Sequence, residues 1–219
     1  PFKIPACAAI SLAGADLLGV AGSMLWYSRF EKLSLRERLR DLIPWRGDEM
    51  VLDVGCGRGL WLIGAARLLT GGKATGVDVW RADLSDNRPE VATQNARLEG
   101  VADRVVVEDG DARRLPFADA SFDVVVSALV LHNIRDRAGR RQAVLEIARV
   151  LKPGGRVVLL DLRFTSDYLD NLRQCGLSDT RRRAVWPVFT SVFRLLTWGA
   201  VRFYWVTGEK VPAIEAGAP

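Results

Sequence analysis

Short apolar runs recur along the middle of the chain, and most are continuous in Val, Ile and Leu instead of alternating with polar residues. Continuous runs of this kind are typical of parallel strands that are covered on both faces. They predict strands at 50–55, 73–79, 104–109, 122–129 and 156–162. Helical periodicity predicts helices at 60–69, 89–98, 140–151 and 167–175. Strands that alternate with helices predict a doubly wound α/β sheet in three layers, α/β/α.

Two local signals mark where elements begin and end. The capping-box pattern from Ser34 to Glu37 predicts the start of a helix that runs through Ile43 and ends at Pro44. The sequence Lys-Pro-Gly-Gly at 152–155 predicts a turn before the fifth strand.

Two late segments, 179–185 and 202–207, are predicted to be strands that pair as an antiparallel hairpin at the edge of the sheet. A bare hairpin needs only a few connecting residues. The connection at 186–200 is longer and rich in Trp, Phe and Leu. Three interpretations of this apolar insert remain open: a lid over an apolar ligand, an amphipathic helix that dips into a membrane, or a cap packed on the core.

Residues 4–27 are almost free of charge and are followed closely by basic residues. The length is sufficient to span a bilayer, and the basic residues that follow place its C-terminal end on the cytoplasmic side. Against this, Asp16 in mid-segment costs about 2.5–3.5 kcal/mol on insertion scales. A membrane helix and a helical extension packed on the domain are both compatible with the pattern. Because the first residue is Pro1, either the initiator has been removed or upstream sequence is missing.

Composition adds limits on partners and metals. The chain has 219 residues, 49% of them hydrophobic, which suits one globular domain with an extra segment or two. A net charge of +5 permits contact with anionic membranes or nucleic acid and requires neither. Three distant cysteines and the single histidine, His132, argue against a disulfide framework and a metal site.

The candidate chemistry begins with DVGCGRG at 53–59, directly after the first strand. Gly55, Gly57 and Gly59 are spaced G-x-G-x-G, whereas the dinucleotide fingerprint is G-x-G-x-x-G. Glycines there let the backbone approach a ligand closely. The lysine of a nucleoside-triphosphate loop is absent, which disfavours ATP and GTP. A tight strand-to-helix turn without any ligand is the plain alternative.

Acidic residues close the next two strands. Asp78 ends the second strand, where a carboxylate accepts hydrogen bonds from both ribose hydroxyls. Asp111 follows the third strand, where it can accept from an exocyclic adenine amine. Each also fits an ordinary solvated turn. Residues 127–134, SALVLHNI, follow the fourth strand and face the place where the reacting end of a ligand lies.

These pieces, with GDARRLPFADASFDVVVS and VLKPGGRVVLLD in the same order and spacing, resemble class I S-adenosylmethionine-dependent methyltransferases. The resemblance runs from about residue 34 to 161. It implies a Rossmann-like seven-stranded sheet whose last strand is antiparallel, with S-adenosylmethionine as cofactor and S-adenosylhomocysteine as product. It places Asp53, Gly55 and Gly57 around the methionine moiety, Asp78 at the ribose and Asp111 at the adenine. The predicted cofactor-binding residues are Asp53, Gly55, Cys56, Gly57, Gly59, Asp78, Val79, Trp80, Asp111, Ala112 and Ser127.

The stretch from Met24 to Glu49 also resembles bacterial methyltransferases that carry hydrophobic membrane segments before this domain. The predicted division is a hydrophobic helical segment at 1–30, a methyltransferase domain at 31–211 and a tail at 212–219. Membrane contact through 4–27 and 186–200 would place the domain on the cytoplasmic side of a membrane. If 4–27 packs on the domain, the protein would be cytoplasmic.

His132 is the candidate catalytic residue, because its intrinsic pKa suits a general base and it follows the fourth strand. A packed loop histidine is the alternative, and Asp161 and Tyr168 are weaker candidates. The predicted acceptor is a small molecule, apolar or lipid-like. The absence of an N/D-P-P-Y-type motif disfavours a nucleic-acid substrate, although Arg181–Arg183 near Trp186 form a basic patch with an aromatic. A protein methyltransferase and a non-catalytic module that binds S-adenosylmethionine are further alternatives.

Overall fold

The computed structural model describes residues 32–80, 87–185 and 202–212. In these ranges seven strands form one sheet. The strands are β1 Met50–Val54, β2 Lys73–Asp78, β3 Val105–Asp109, β4 Phe122–Ala128, β5 Leu151–Asp161, β6 Leu177–Ala184 and β7 Tyr204–Lys210. The α-helices are α1 Lys32–Glu37, α2 Leu39–Leu42, α3 Leu60–Ala66, α4 Pro89–Leu98, α5 Arg137–Val150 and α6 Thr165–Gln174. Short 3-10 turns lie at Ala102–Arg104 and Leu131–Asn133.

The strand order is β3-β2-β1-β4-β5-β7-β6. Strands β1 to β5 pair in parallel, and β7 runs antiparallel to both β5 and β6. This confirms the doubly wound sheet and the antiparallel pairing of the two late strands. The hairpin does not simply extend the edge, however, because β7 inserts between β5 and β6 and leaves β6 outermost. The order reverses between β1 and β4, which is the point where ligands bind in open α/β sheets.

The central strands are buried on both faces, as their continuous apolar runs predict. On β4, Val124 and Val126 pack into the cluster built with α1, α2 and α3. Val125 points to the other face and packs with α5 and α6. Each side chain of this size contributes about 1.5–3 kcal/mol when it is removed from water, so the two layers of helices follow from the strand sequences.

Three predicted boundaries are wrong. Ser34 lies inside α1, where its carbonyl accepts from the backbone N–H of Arg38, so it does not cap the helix. Helix α5 begins at Arg137, because the carboxylate of Asp136 accepts from the backbone N–H of Gly139 at 2.6 Å and caps it. The predicted turn at 152–155 belongs to β5, where the register against β4 shifts.

The predictions about 4–27 and 186–200 fall on residues outside the described ranges. Among the described helices, none combines the length and the hydropathy that crossing a bilayer requires. The membrane predictions therefore stay predictions.

Candidate active site

A cavity of about 930 Å³ lies at the carboxyl ends of the parallel strands. It is lined by Asp53 of β1, Asp78 of β2, Ala128 of β4 and Leu160 of β5. This is the edge and the crossover point at which a doubly wound sheet binds ligands. The volume lies in the upper part of the range of small-molecule sites, so one organic cofactor and part of a second molecule fit.

The glycine turn after β1 is held in a conformation that other residues rarely adopt. Gly55, Gly57 and Gly59 have φ angles of +76°, +51° and +85°. A Cβ on Gly55 would lie 2.4 Å from the methyl carbons of Val130, so this glycine is required by close packing as well as by its φ angle. The backbone N–H of Gly55 donates to the carbonyl of Val77 at 2.7 Å, which fixes the turn against β2.

Asp53 is a buried carboxyl group at the wall of the cavity. Its side chain is 2% exposed, and among the described residues its Oδ2 has no hydrogen-bond partner. Burial raises the pKa of Asp53 from 3.8 to about 7, partly opposed by a backbone hydrogen bond from Leu62 and assisted by the nearby charge of Asp78. An unpaired buried carboxylate oxygen at a cavity wall is suited to a cationic or hydrogen-bond-donating ligand.

Asp78 is oriented by the protein before any ligand binds. Its Oδ2 accepts from the backbone N–H of Gly57 at 2.9 Å. Its Oδ1 accepts from the backbone N–H of Trp80 at 3.1 Å and from the side-chain amide of Asn87 at 3.3 Å. The carboxylate predicted to bind the ribose thus lines the cavity with a fixed orientation.

The turn after β3 forms the next part of the wall. Gly110 donates its backbone N–H to the carbonyl of Asp78 at 3.0 Å, which ties this turn to the end of β2. Asp111 and Ala112 line the cavity, and so does Val79, which is 48% exposed. The guanidinium of Arg113 lies 2.6 Å from the carboxylate of Asp111, so this carboxylate already has a cationic partner. The sequence pattern did not predict that pair.

Three predicted cofactor residues do not line the cavity. Ser127 is 2% exposed, and its hydroxyl donates to the carbonyl of Val54 at 2.8 Å, because it lies within β4 and faces β1. Trp80 packs its side chain against the hydrophobic cluster of α1, α2 and α3. Gly59 is the N-cap of α3 and shapes the turn from outside the cavity. Cys56 does line it, as a buried thiol whose pKa is raised by desolvation.

His132 pairs with the end of β5. Its Nδ1 lies 2.6 Å from Oδ1 of Asp161, and its backbone N–H donates to Oδ2 at 3.2 Å. Asp161 is 2% exposed, whereas the imidazole is 19% exposed. The hydroxyl of Tyr168 donates to the same carboxylate at 3.4 Å, and burial with the charge of Asp161 raises the pKa of Tyr168. His132, Asp161 and Tyr168 therefore form one group joined by hydrogen bonds to the carboxylate, although His132 itself does not line the cavity.

The loop after His132 forms the other end of the cavity. Residues 133–136 line it, and Arg140 of α5 donates to the carbonyls of Ile134 and Arg135 at 2.8 and 2.9 Å. The guanidinium of Arg140 also lies 3.7 Å from the ring centroid of Phe164. No sequence pattern predicts this support, because it depends on how α5 packs against the loop before it and against Phe164.

Other residues that line the cavity were not among the predicted cofactor-binding residues. They are Lys32, Leu35, Arg58, Asn87 and Val130. Lys32 and Leu35 belong to a helix that reaches the cavity only through tertiary packing. Within the described ranges, no group of three or more metal-ligating side chains is present.

Comparison with known proteins agrees with this geometry. Residues 52–159 match the family described as a methyltransferase domain. The chain is 41% identical over 127 residues to the 27-O-demethylrifamycin SV methyltransferase of Amycolatopsis mediterranei, covering 58% of this chain and 43% of that protein. It is 43% identical over 111 residues to the demethylmenaquinone methyltransferase of Lactiplantibacillus plantarum, covering 51% of this chain and 44% of that protein. The chain thus spans less than half the length of these relatives.

The fold is shared with a solved geranyl diphosphate C-methyltransferase from Streptomyces coelicolor, in complex with Mg²⁺, geranyl diphosphate and S-adenosyl-L-homocysteine. The TM-score is 0.66 at 17% identity, over 86% of this chain and 82% of that one. At this identity the likeness shows the fold alone. The sheet order, the glycine turn and the match of residues 52–159 all agree with a class I methyltransferase fold.

Proposed function

We propose that the protein is an S-adenosylmethionine-dependent methyltransferase that acts on a small, apolar or lipid-like acceptor. The observation that carries the proposal is that one cavity, at the switch point of the sheet, is lined by the glycine turn together with Asp53, Asp78 and Asp111. Two relatives are named as methyltransferases of a rifamycin and of demethylmenaquinone, which supports a small organic acceptor.

The residues present fit this cofactor. Asp53 offers a buried carboxylate oxygen, without a hydrogen-bond partner in the part of the chain that the structure describes, to the cationic, amine-bearing methionine part. Asp78 and Asp111 offer acceptors to the ribose and the adenine, and the exposed side chain of Val79 offers an apolar surface for a base. The turn lacks the lysine of a nucleoside-triphosphate loop, although Arg58 lies in it, and Asp78 disfavours a 2′-phosphate.

Bound S-adenosylmethionine would supply a methyl group that its sulfonium charge has already activated. The protein then needs chiefly to orient the acceptor and to exclude water, so positioning accounts for most of the barrier reduction. The glycine turn, the apolar side chains of Leu129 and Leu160, and the loop at 133–136 supply that fixed surface.

His132, whose neighbour Asn133 lines the cavity, is the proposed general base. The buried carboxylate of Asp161, 2.6 Å from Nδ1, favours a proton on Nδ1 and so leaves Nε2 as the nitrogen that accepts one. Asp161 also stabilises the imidazolium that forms when the acceptor releases its proton. Such a base is useful for a hydroxyl or an acidic carbon, which must lose a proton during methylation.

A calorimetric titration with S-adenosylhomocysteine tests the cofactor assignment. We expect saturable binding to the wild-type protein and no binding of NAD at the same concentrations. Absence of S-adenosylhomocysteine binding at high micromolar concentration would contradict the proposed function.

Replacement of the base tests the mechanism. His132→Ala should lower the rate of methyl transfer by two or more orders of magnitude while leaving S-adenosylhomocysteine affinity near wild type. Tyr168→Phe is the matched control, since it removes only the longer hydrogen bond to Asp161, and it should retain most of the activity. A near-wild-type rate for His132→Ala would remove this residue from the mechanism.

The basic patch does not favour nucleic acid. Arg181 pairs with Asp179 at 2.7 Å, and the guanidinium of Arg182 lies 3.6 Å from the ring centroid of Tyr204. Two of the three arginines on β6 are thus engaged locally, and the strand is the outer edge of the sheet. Charged side chains at such an edge prevent pairing with another sheet.

Membrane contact through 4–27 and 186–200, on the cytoplasmic side, is part of the proposal. It is supported by the composition of both segments and by exposed Arg183 and Arg202 beside the second. Val185 donates to the carbonyl of Phe203 at 2.9 Å, at the same carboxyl edge as the cavity. Detergent-free fractionation of the full chain tests this, and recovery entirely in the soluble fraction would contradict it.

A further inference from the structure

We infer that Asn87 is a direct ligand of the cofactor ribose and shares its two hydroxyls with Asp78. The inference rests on the proposed cofactor. It concerns a side chain of the cavity wall that belongs neither to the glycine turn nor to the acidic residues predicted to bind the cofactor. Asn87 lies nine residues after Asp78, the last residue of β2. It lines the cavity, and its side-chain amide donates a hydrogen bond to the carboxylate of Asp78.

The hydrogen-bond capacity of Asp78 is nearly filled by the protein. A carboxylate has about four lone-pair sites. Among the described residues, Gly57 takes one site on Oδ2, and Trp80 and Asn87 take both on Oδ1. One site on Oδ2 therefore remains, whereas the ribose of S-adenosylmethionine brings two hydroxyl donors.

Asn87 supplies the missing acceptor. Its Nδ2 donates to Asp78 at 3.3 Å, and its Oδ1 is buried without a hydrogen-bond partner in the described part of the chain. A buried amide oxygen without a hydrogen-bond partner is unfavourable, so a ligand that donates a hydrogen bond to it binds more tightly. The same Oδ1 lies 3.5 Å from the position that a Cβ on Gly57 would occupy, which puts it at the glycine turn.

The geometry therefore divides the ribose between two acceptors that are hydrogen-bonded to each other. One hydroxyl donates to Oδ2 of Asp78 and the other to Oδ1 of Asn87. The amide also holds the carboxylate in place, so both acceptors are arranged before the ligand arrives. Loss of one ribose hydroxyl would therefore be detected by Asp78, and loss of the other by Asn87.

The test compares three ligands by calorimetry: S-adenosylhomocysteine and its 2′-deoxy and 3′-deoxy analogues. Wild type should bind both analogues about 5- to 50-fold more weakly than the parent compound. Asn87→Ala should weaken binding of the parent compound by a similar factor. One of the two analogues should then bind the variant as tightly as the parent compound does, because its missing hydroxyl no longer has a partner. The other analogue should keep its full penalty, since that hydroxyl belongs to Asp78.

Asn171→Ala, on α6 away from the cavity, is the matched control and should bind all three ligands like wild type. The inference is overturned if Asn87→Ala binds the parent compound within twofold of wild type. It is equally overturned if the variant binds more weakly but keeps both deoxy penalties, because Asn87 would then act only through Asp78. Wild type that fails to bind S-adenosylhomocysteine at all would refute the proposed function itself, which is a different result. Thermal melting of each variant confirms that it is folded.

Discussion

At the scale of single residues, the candidate site contains two carboxyl groups that are buried for different purposes. Asp161 is surrounded by donors, namely His132, Tyr168 and the backbone N–H of Leu162 at 2.7 Å. Asp53 is equally buried but keeps one oxygen unpaired among the described residues. The carboxylate of Asp161 is held by hydrogen-bond donors and can orient His132. The carboxylate of Asp53 keeps an oxygen that can accept a hydrogen bond from a ligand.

Asp53→Asn should change how stability depends on pH. Burial raises the pKa of Asp53 from 3.8 to about 7. Between these values the folded protein keeps a proton that the unfolded chain releases, so the free energy of unfolding falls as pH rises from about 4 to 7 and is level above that range. The loss is on the order of 2–4 kcal/mol. Asp53→Asn has no carboxyl group to titrate at this position. Its free energy of unfolding, compared with that of wild type, should therefore rise between about pH 4 and 7.

Urea unfolding of both proteins at several pH values between 4.5 and 8, without cofactor, measures this difference. All other titrating groups are common to the two proteins and cancel in the comparison. Parallel stability curves would show that Asp53 is ionised in the folded protein well below pH 7.

At the scale of elements, the ends of strands and helices are tied together around the cavity. The turn after β1 is bonded to β2, and the turn after β3 is bonded to β2 as well. Helix α5 supports the loop at 133–136 through Arg140, which also stacks on Phe164 before α6. The cavity is therefore shaped by contacts between elements that lie far apart in the sequence.

Arg140→Ala should loosen this loop. The variant leaves the carbonyls of Ile134 and Arg135 without their donor and removes the guanidinium from the ring of Phe164. We expect a loss of about 2–4 kcal/mol in unfolding free energy and faster amide exchange at 131–136. Arg141→Ala is the matched control, because Arg141 is the next residue of the same helix and is exposed. It should change stability by about 0.5 kcal/mol or less. Equal exchange rates at 131–136 in both variants would contradict the supporting role of Arg140.

At the scale of the whole molecule, one cavity collects residues from α1, β1, β2, β4 and β5. A ligand that fills this cavity contacts β1 and β2 on one side of the switch point and β4 and β5 on the other. Binding should therefore raise the free energy of unfolding of the whole domain, and not only protect one local segment.

Thermal unfolding with S-adenosylhomocysteine measures this linkage. At 100 times the dissociation constant, a ligand that binds only the folded state adds about 2.7 kcal/mol, which corresponds to roughly 5–10 °C in Tm for a chain of this size. NAD at the same concentration is the control and should leave Tm unchanged. An equal shift with both compounds would indicate a site that does not distinguish the amino-acid part from a diphosphate.

The sequence by itself determined the parallel strands, the three layers, the glycine turn and the acidic residues that follow β2 and β3. These features are local: burial on both faces demands continuous apolar runs, and a positive φ angle in a close-packed turn demands glycine. The tertiary structure decided the rest, because strand order and side-chain direction depend on contacts between distant segments. In the folded protein β7 lies between β5 and β6, the hydroxyl of Ser127 bonds to the neighbouring strand β1, and Asp161 lies beside His132. The tertiary structure also placed Asn87 beside Asp78, because a hydrogen bond between a loop residue and the end of a strand depends on how the loop folds back and leaves no periodic pattern in the sequence.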